Sequence, residues 1–445
     1  MKVSSSQLEL IEKTKKYLEE KSNENVNVHN SGNCYFLAWS PTPGYAILKL
    51  WQEGFKKIFY TLKIFLKDIV SISSFNNYYI TNEFEIAKYN KIIVSWGFKN
   101  NFLVDGSYQD GYFKINSKDM KGTLWFLIYD DTDIPKKINK NILILSKKKN
   151  KSKYNLFYFL RSITKKIFLC KFSLKRFFHK ASSYTEFSDI VWKDLKKFVN
   201  DDVETIVMPY ECQPFQNKIF KACKKINNNI KTIGYVHSFP PALPTNYVFR
   251  DGSPEKLILS GDDQYYCFNK YLNWSNSKLK ILPSTKYLKN SDNISSYIFL
   301  PYELPSTDII IKSLKSLLTN SKYEIISNFI VKNHPLMKNS KKHLKLIKKI
   351  NDFLLKYKNP LLESYENKLS IFIGSTSAPI EALERNLEVI HICEDPVFQS
   401  YSSELWPSIK VKKINNNIYE YQLLKKGNLI QFGDNSAIFK EKYLN

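Results

Sequence analysis

The sequence is poor in cysteine and lacks the closely spaced cysteine pairs from which many structural zinc sites are built. Six cysteines are scattered over 445 residues, and none forms a C-x-x-C pair. A zinc site of that kind is therefore not expected. The first residues contain no apolar signal-peptide core, which favours reduced thiols in the cytosol over disulfides. We therefore expect a cytoplasmic protein without a zinc site of this kind.

Long apolar runs are also missing. No stretch reaches the roughly 18 uninterrupted apolar residues of a bilayer-spanning helix. Residues 1–22 instead place apolar side chains at helical spacing among charges, which predicts an amphipathic helix. Hydrophobic residues nevertheless make up 43% and aromatic residues 15% of the chain, so there is enough apolar material for packed cores.

Acidic residues are absent between Asp133 and Glu186, where thirteen Lys and two Arg accumulate. Within this segment, residues 154–180 mix the positive charges with Phe, Leu and Ile at roughly helical spacing. The pattern is typical of a basic helix on an anionic membrane surface, and equally of a helix that packs its aromatic face on its own domain. The net charge of +25 favours an anionic partner without choosing among nucleic acid, a membrane surface and acidic sugars.

Short apolar runs alternate with helical stretches, a pattern that predicts parallel sheets flanked by helices. It occurs twice, on either side of the Pro-rich residues 238–254, which indicates two doubly wound α/β domains. We assign residues 1–240 to the first domain, including the basic segment 133–186, and residues 241–445 to the second, whose last helix is free to return to the first. Strands are predicted at residues 35–39, 91–96, 123–129, 141–145, 204–208 and 231–237, and then at 256–260, 296–300, 323–331 and 369–373.

A His-Pro pair, His334-Pro335, follows the apolar residues 325–331. Pro335 disfavours helix at the preceding residue, so the pair ends a strand with the histidine extended. Ligands of parallel α/β sheets bind beyond the carboxyl ends of the strands, where a histidine is able to donate to a phosphate or a leaving group. A lone histidine at a strand end is also a common structural residue.

A second motif follows the strand predicted at residues 369–373. It consists of Gly374, Ser375, Thr376 and Ser377, and Pro379 then begins a helix. Such a loop offers backbone N–H groups, three hydroxyls and a helix dipole to an anion. Glu381, one turn into the helix, is placed to accept hydrogen bonds from ribose hydroxyls. The alternative is that Ser377 only caps the helix.

A His-Pro pair followed by a Ser-Ser/Thr pair in the C-terminal half resembles the donor site of bacterial sialyltransferases and related CMP-sugar transferases. The resemblance extends over residues 230–400 in layout and over a handful of positions in identity. It implies a GT-B fold, with two Rossmann-like domains facing a central cleft. It also implies that His334, Ser375, Thr376 and Ser377 contact the CMP phosphate, and that transfer inverts the sugar without a metal or a separate cofactor.

Those transferases also carry an acidic pair before Gly that supplies the base, and this chain lacks it. Asp105-Gly106 and Asp110-Gly111 keep one acid each. Deprotonation of an acceptor hydroxyl requires a carboxylate or a histidine. The candidate bases are Glu211 and His237, which follow predicted strands, and Asp105, which precedes a glycine. Gln213 and Gln216 are candidate ligands of the sugar hydroxyls.

The sequence thus predicts a transferase that moves sialic acid, Kdo or a related sugar from a CMP donor to a surface glycan or lipid-linked acceptor. A polyol-phosphate transferase of the teichoic-acid type is the alternative, because it shares the fold and the His-Pro element. A basic nucleic-acid-binding protein is a weaker alternative, since no nucleic-acid-binding motif is present. Asp131-Thr132-Asp133 has the Asp-x-Asp spacing of metal-dependent transferases, but its surroundings indicate a surface turn.

Overall fold

A computed structural model gives the structure of the chain. It describes residues 3–23, 78–80, 88–129, 133–147, 164, 183–284, 286, 295–358, 368–434 and 436–444. The predicted strand at residues 35–39 lies outside this part of the chain. So does the basic segment 154–180, apart from Thr164.

The first α/β domain is built on a large, mainly parallel sheet. Its described strands are β1 Tyr78–Ile80, β2 Lys91–Gly97, β3 Thr123–Tyr129, β4 Ile142–Lys147, β5 Thr205–Pro209, β6 Lys231–Tyr235, β7 Lys256–Leu259 and β8 Leu279–Ile281. Their order across the sheet is β1-β4-β3-β2-β5-β6-β7-β8. Strands β2 to β8 are parallel, and β1 pairs antiparallel with β4 at the edge. Strand β3 is buried along its whole length, which suits a parallel strand covered on both faces.

The second domain contains a smaller mixed sheet. Its described strands are β9 Tyr297–Phe299, β10 Ile330–Lys332, β11 Leu369–Ile373, β12 Glu388–Ile392, β13 Ile409–Lys413 and β14 Ile418–Leu423. The order is β10-β9-β11-β12-β14-β13. Strands β9 to β12 are parallel, whereas β14 is antiparallel to both β12 and β13. The chain is therefore an α/β protein with two domains of mainly parallel sheet, as the sequence predicts.

Helices lie between the strands of both sheets. In the described residues they are α1 Val3–Asn23, α2 Ser183–Leu195, α3 Pro214–Ile226, α4 Asp262–Tyr271, α5 Thr307–Leu318, α6 Lys341–Leu354, α7 Ala378–Glu384, α8 Pro396–Gln399 and α9 Ser436–Phe439. None of them is long and apolar enough to cross a bilayer.

Buried polar contacts join the two domains. The Asp263 carboxylate at the start of α4 accepts from the N–H and hydroxyl of Ser408, at 2.8 Å each. The Trp406 indole donates to the carbonyl of Ala242 at 3.0 Å. At the end of the chain, the Phe439 ring lies 5.1 Å from Phe113 of the first domain. The four cysteines in the described residues are buried free thiols.

The predicted position of residues 256–260 in the second domain is wrong. They form β7, which pairs with β6 in the first sheet, so a division at residue 240 does not coincide with the division between the sheets. Composition is misleading here, because the Pro-rich segment 238–254 is no exposed linker. It crosses over the first sheet with Leu243, Tyr247 and Val248 buried.

The predicted strand at residues 323–331 is mostly wrong as well. Residues Ser321–Asn328 form a 3-10 helix, and only Ile330–Lys332 is extended. The reason lies in the spacing of the apolar side chains: Tyr323, Ile326 and Phe329 are buried. An interval of three residues places them on one face of a helix with three residues per turn.

Candidate functional site

The strand order of the first sheet places Glu211 where sheets of this topology bind ligands. Strands β4, β3, β2, β5, β6 and β7 follow the order of doubly wound nucleotide-binding folds, in which successive connections reverse direction between β2 and β5. Ligands of such sheets bind beyond the carboxyl ends of the two strands at this reversal. Glu211 comes two residues after β5, and residues 98–117 form the loop after β2.

A buried carboxylate shapes the loop after β2. Asp110 accepts from the Ser95 hydroxyl at 2.6 Å and from the N–H groups of Tyr112 and Phe113 at 2.8 and 2.7 Å. Burial raises the pKa of this carboxyl, although the three hydrogen bonds oppose that effect. The result is a fixed turn that holds the Tyr112 ring 4.4 Å from the ring of His237.

Glu211 and His237 meet at the ends of neighbouring strands. His237 Nε2 lies 3.4 Å from Glu211 Oε1, and the Gln213 amide donates to Glu211 Oε2 at 2.8 Å. The Glu211 side chain keeps 41% of its exposure and that of His237 keeps 11%. Among the described residues, the buried Nδ1 of His237 has no hydrogen-bond partner. A buried polar atom without a partner is uncommon in proteins and calls for an explanation, such as contact with a ligand or a water molecule.

Desolvation moves the two pKa values in opposite directions. It raises the pKa of Glu211 above its usual value of 4.5, against weaker lowering effects from Gln213 and the charge of Lys286. It lowers the pKa of His237 to about 3, with a further contribution from Lys286. At neutral pH, His237 is therefore neutral and Glu211 is the stronger proton acceptor of the pair.

The two glutamines behave differently. Gln216 is buried, its Oε1 accepts from the N–H groups of Glu211 and Gln213 at 3.1 and 2.9 Å, and its amide donates to the carbonyl of Pro209. These contacts make Gln216 a support for the Glu211 loop. Gln213 is only half-buried and contacts the Glu211 carboxylate directly.

Asp105 has the contacts of a turn aspartate. Its carboxylate accepts from the Ser107 N–H at 3.0 Å and hydroxyl at 2.6 Å, and Gly106 follows with φ +86°. The Ser107 hydrogen bonds lower the pKa of Asp105 to about 2. A carboxyl with so low a pKa is a weak proton acceptor at neutral pH, which disfavours Asp105 as a base.

The strand order of the second sheet places the Gly-Ser-Thr-Ser loop at a corresponding position. The order β10-β9-β11-β12 reverses direction between β9 and β11, and residues Gly374 to Ser377 directly follow β11. Gly374 has φ +67°, and a Cβ there would lie 3.0 Å from the Pro305 ring. Ser375 is exposed, and the Thr376 hydroxyl accepts from the Ala378 N–H at 3.2 Å.

Ser377 does not act as a side-chain cap. It stands at the N-cap of α7, but its side chain makes no capping hydrogen bond. The Thr376 hydroxyl satisfies one N–H of the first turn instead. Glu381 pairs with Arg385 at 2.9 Å and also interacts electrostatically with Lys286 of the first domain.

His334 is extended, with φ −61° and ψ 135°, as the sequence predicts. Its Nδ1 accepts from the Leu336 N–H at 3.2 Å, so the neutral ring carries its proton on Nε2 as a donor. The ring lies 5.6 Å from that of Tyr302, a side chain 51% exposed at the end of β9. Desolvation, followed by the charge of His343, lowers the pKa of His334.

Lys286 interacts with an acidic residue of each site. Its side chain interacts electrostatically with Glu211 of the first domain and Glu381 of the second, and both interactions raise its pKa against desolvation, which lowers it. A second connection is aromatic: the Tyr401 ring lies 5.9 Å from Phe239, which follows His237 by two residues. Tyr401 also donates to the carbonyl of Thr376 at 3.3 Å.

Other acidic motifs have structural contacts. Asp133 of the Asp-x-Asp sequence forms an ion pair with Lys99, while Asp131 and Thr132 lie outside the described residues. Among the described residues, no cluster of three or more His, Cys, Asp or Glu is arranged to hold a metal ion.

Sequence reasoning missed Tyr112, Lys286, Tyr302 and His391. No strand was predicted at β12, although EVIHI is a short run rich in β-branched apolar residues that would have revealed it, and with it His391. Tyr112 and Lys286 lie in loops, where local sequence does not indicate which strand end they approach. Comparison of the chain with protein-family models, curated proteins and solved structures gives no match.

Proposed function

We propose that this protein is a GT-B-type glycosyltransferase that moves sialic acid, Kdo or a related nonulosonic acid from a CMP donor to a surface glycan or lipid-linked acceptor. The observation that carries the proposal is topological. Among the described parallel strands, the strand order of each sheet reverses once. Glu211 lies at the reversal in the first sheet, and the Gly374–Ser377 loop lies at that in the second. Ligands bind at such points, so two half-sites are available for an acceptor and a donor.

In the proposed reaction, Glu211 is the base. The acceptor hydroxyl loses its proton to the Glu211 carboxylate, its oxygen forms a bond to the anomeric carbon, and the bond from that carbon to the phosphate oxygen breaks. CMP leaves with the electron pair, and the configuration inverts. The raised pKa of Glu211 supports this role, because a base works best with a pKa near the working pH. Neutral His237, whose Nε2 lies 3.4 Å from Glu211 Oε1, would orient the carboxylate.

The second domain holds the nucleotide in this proposal. His334 Nε2–H and the hydroxyls of Ser375 and Ser377 are donors suited to the CMP phosphate, and preorganised donors stabilise the charge that develops on a leaving group. The Lys286 ammonium, near Glu211 and Glu381, suits the negative charge of the phosphate or of the sugar carboxylate. Tyr302 offers an exposed ring beside His334 for stacking.

Incubation of the full chain with CMP-Neu5Ac, CMP-Kdo, UDP-sugars and CDP-glycerol tests the proposal. Thermal shift and donor hydrolysis should both single out a CMP-sugar. Preference for CDP-glycerol would favour the polyol-phosphate alternative. Stabilisation by oligonucleotides together with indifference to every nucleotide donor would overturn the proposal.

A further inference from the structure

A buried hydrogen-bond network lies directly beneath the Gly374–Ser377 loop. His391 Nε2 lies 2.7 Å from the carbonyl oxygen of Gly374, and its Nδ1 lies 3.3 Å from the Tyr421 hydroxyl. The Tyr421 oxygen accepts from the N–H of Tyr401 at 3.1 Å, and the Tyr401 hydroxyl donates to the carbonyl of Thr376 at 3.3 Å. The network thus starts at one end of the loop and returns near the other.

The direction of every hydrogen bond in the network is determined. The Gly374 carbonyl only accepts, so His391 carries its proton on Nε2 and Nδ1 is an acceptor. Tyr421 must then donate its hydroxyl proton to Nδ1, and its oxygen remains free to accept from Tyr401. Burial lowers the pKa of His391 to about 4, so the ring is neutral at physiological pH. His391, Tyr401 and Tyr421 are all buried.

We infer that His391, Tyr421 and Tyr401 are positioning residues that hold the Gly374–Ser377 loop in its anion-binding conformation. The inference rests on the proposed function for the identity of the anion, a nucleotide phosphate. Gly374 needs such support, because it has no side chain to restrict its backbone. At φ +67° the orientation of its carbonyl therefore depends on the contacts around it. Tyr401 extends the effect across the domains, since its ring packs on Phe239 beyond His237.

The first test replaces Tyr421 with Phe, which removes one hydroxyl and keeps the ring. The matched control is Tyr323→Phe in the same domain, because Tyr323 is also buried and its hydroxyl donates to Glu420 at 3.2 Å. Both variants should lose similar thermal stability. Only Tyr421→Phe should speed hydrogen exchange in the peptide covering residues 374–378 and weaken CMP binding, by about three- to tenfold, the worth of one buried hydrogen bond.

The second test uses the histidine. In His391→Gln the side-chain amide is able to donate to Gly374 in place of Nε2, whereas His391→Leu removes that donor. Gln should restore loop protection relative to Leu. The nitrogen NMR shifts of His391 should report an Nε2–H tautomer in the wild type and mixed tautomers in Tyr421→Phe.

The outcomes separate the inference from the proposed function. Unchanged exchange at residues 374–378 in Tyr421→Phe overturns the inference, and so does faster exchange with unaltered CMP affinity. If the wild type binds no CMP, the proposed function fails, while the exchange and tautomer measurements still decide whether the network positions the loop.

Discussion

The carboxyl ends of the strands in the two domains carry side chains of contrasting environment. In the first domain, His237 is buried and desolvation lowers its pKa to about 3, while the pKa of neighbouring Glu211 is raised. In the second, His334 is half-buried and Ser375 is exposed. Titratable groups with strongly shifted pKa values cluster where proton transfer takes place. Within the proposed function, this contrast supports proton transfer in the first domain and donor binding in the second.

The largest effect should follow Glu211→Gln, which keeps the shape of the side chain and removes the proton acceptor. We expect kcat to fall by about 10²- to 10⁴-fold, the usual contribution of a general base. CMP affinity should change little, because the donor half-site lies in the other domain. Transfer kinetics and nucleotide titration would measure the two effects separately.

The matched control is Glu255→Gln. Glu255 has a similar exposure of 43%, but it precedes β7 at the opposite edge of the same sheet. This variant should retain full activity. Comparable activity in Glu211→Gln and Glu255→Gln would remove Glu211 from the chemistry and leave His237 as the remaining first-domain candidate.

His334→Ala should have the next largest effect, and this effect should fall on donor affinity rather than on kcat. It removes a neutral Nε2–H donor, and a hydrogen bond to a charged phosphate contributes about 1.5–3 kcal/mol. Donor affinity should therefore fall by about ten- to hundredfold. Unfolding stability should change little, because the ring is only half-buried. Leu336→Ala, at a neighbouring side chain 78% exposed, is the control. Equal donor affinity in both variants would exclude His334 from the site.

The two sites also show which features of the structure can be predicted from the sequence. The ends of two strands were predicted well. Gly374 directly follows β11, and β10 ends shortly before Pro335, although most of the strand predicted there is a 3-10 helix. What the local sequence does not contain is the lateral order of the strands. That order places Glu211 and the Gly374 loop at the reversals, and it moves β7 into the first sheet. The sequence also did not show which hydroxyl of the loop caps the helix: Thr376 makes the capping contact, and Ser377 does not.

Gly374→Ala tests the rigidity of the second half-site. An alanine in the left-handed region costs about 1–2 kcal/mol, and here its Cβ would also crowd Pro305 and Pro301, at 3.0 and 3.2 Å. We expect a loss of about 2 kcal/mol or more in the free energy of unfolding, together with weaker nucleotide binding. Gly427→Ala is the control, because Gly427 has φ +82° and no atom near its added Cβ. If denaturant titration gave equal losses of unfolding free energy for the two variants, crowding by the two prolines would not contribute to the loss.

The smallest expected effect concerns Lys286, which interacts electrostatically with Glu211 of the first half-site and Glu381 of the second. Glu211 must be ionised to accept a proton, so activity falls as the pH drops through its raised pKa. The positive charge of Lys286 lowers that pKa. Lys286→Gln should therefore raise it further and shift the acid limb of the kcat profile to higher pH. Lys118→Gln, which removes a 54% exposed lysine paired with Asp105, should leave the limb in place. If the acid limb of the kcat profile did not shift, or shifted to lower pH, in Lys286→Gln, then Lys286 would not act on the group whose ionisation limits the rate. The charge connection between the two domains would then have no part in the chemistry.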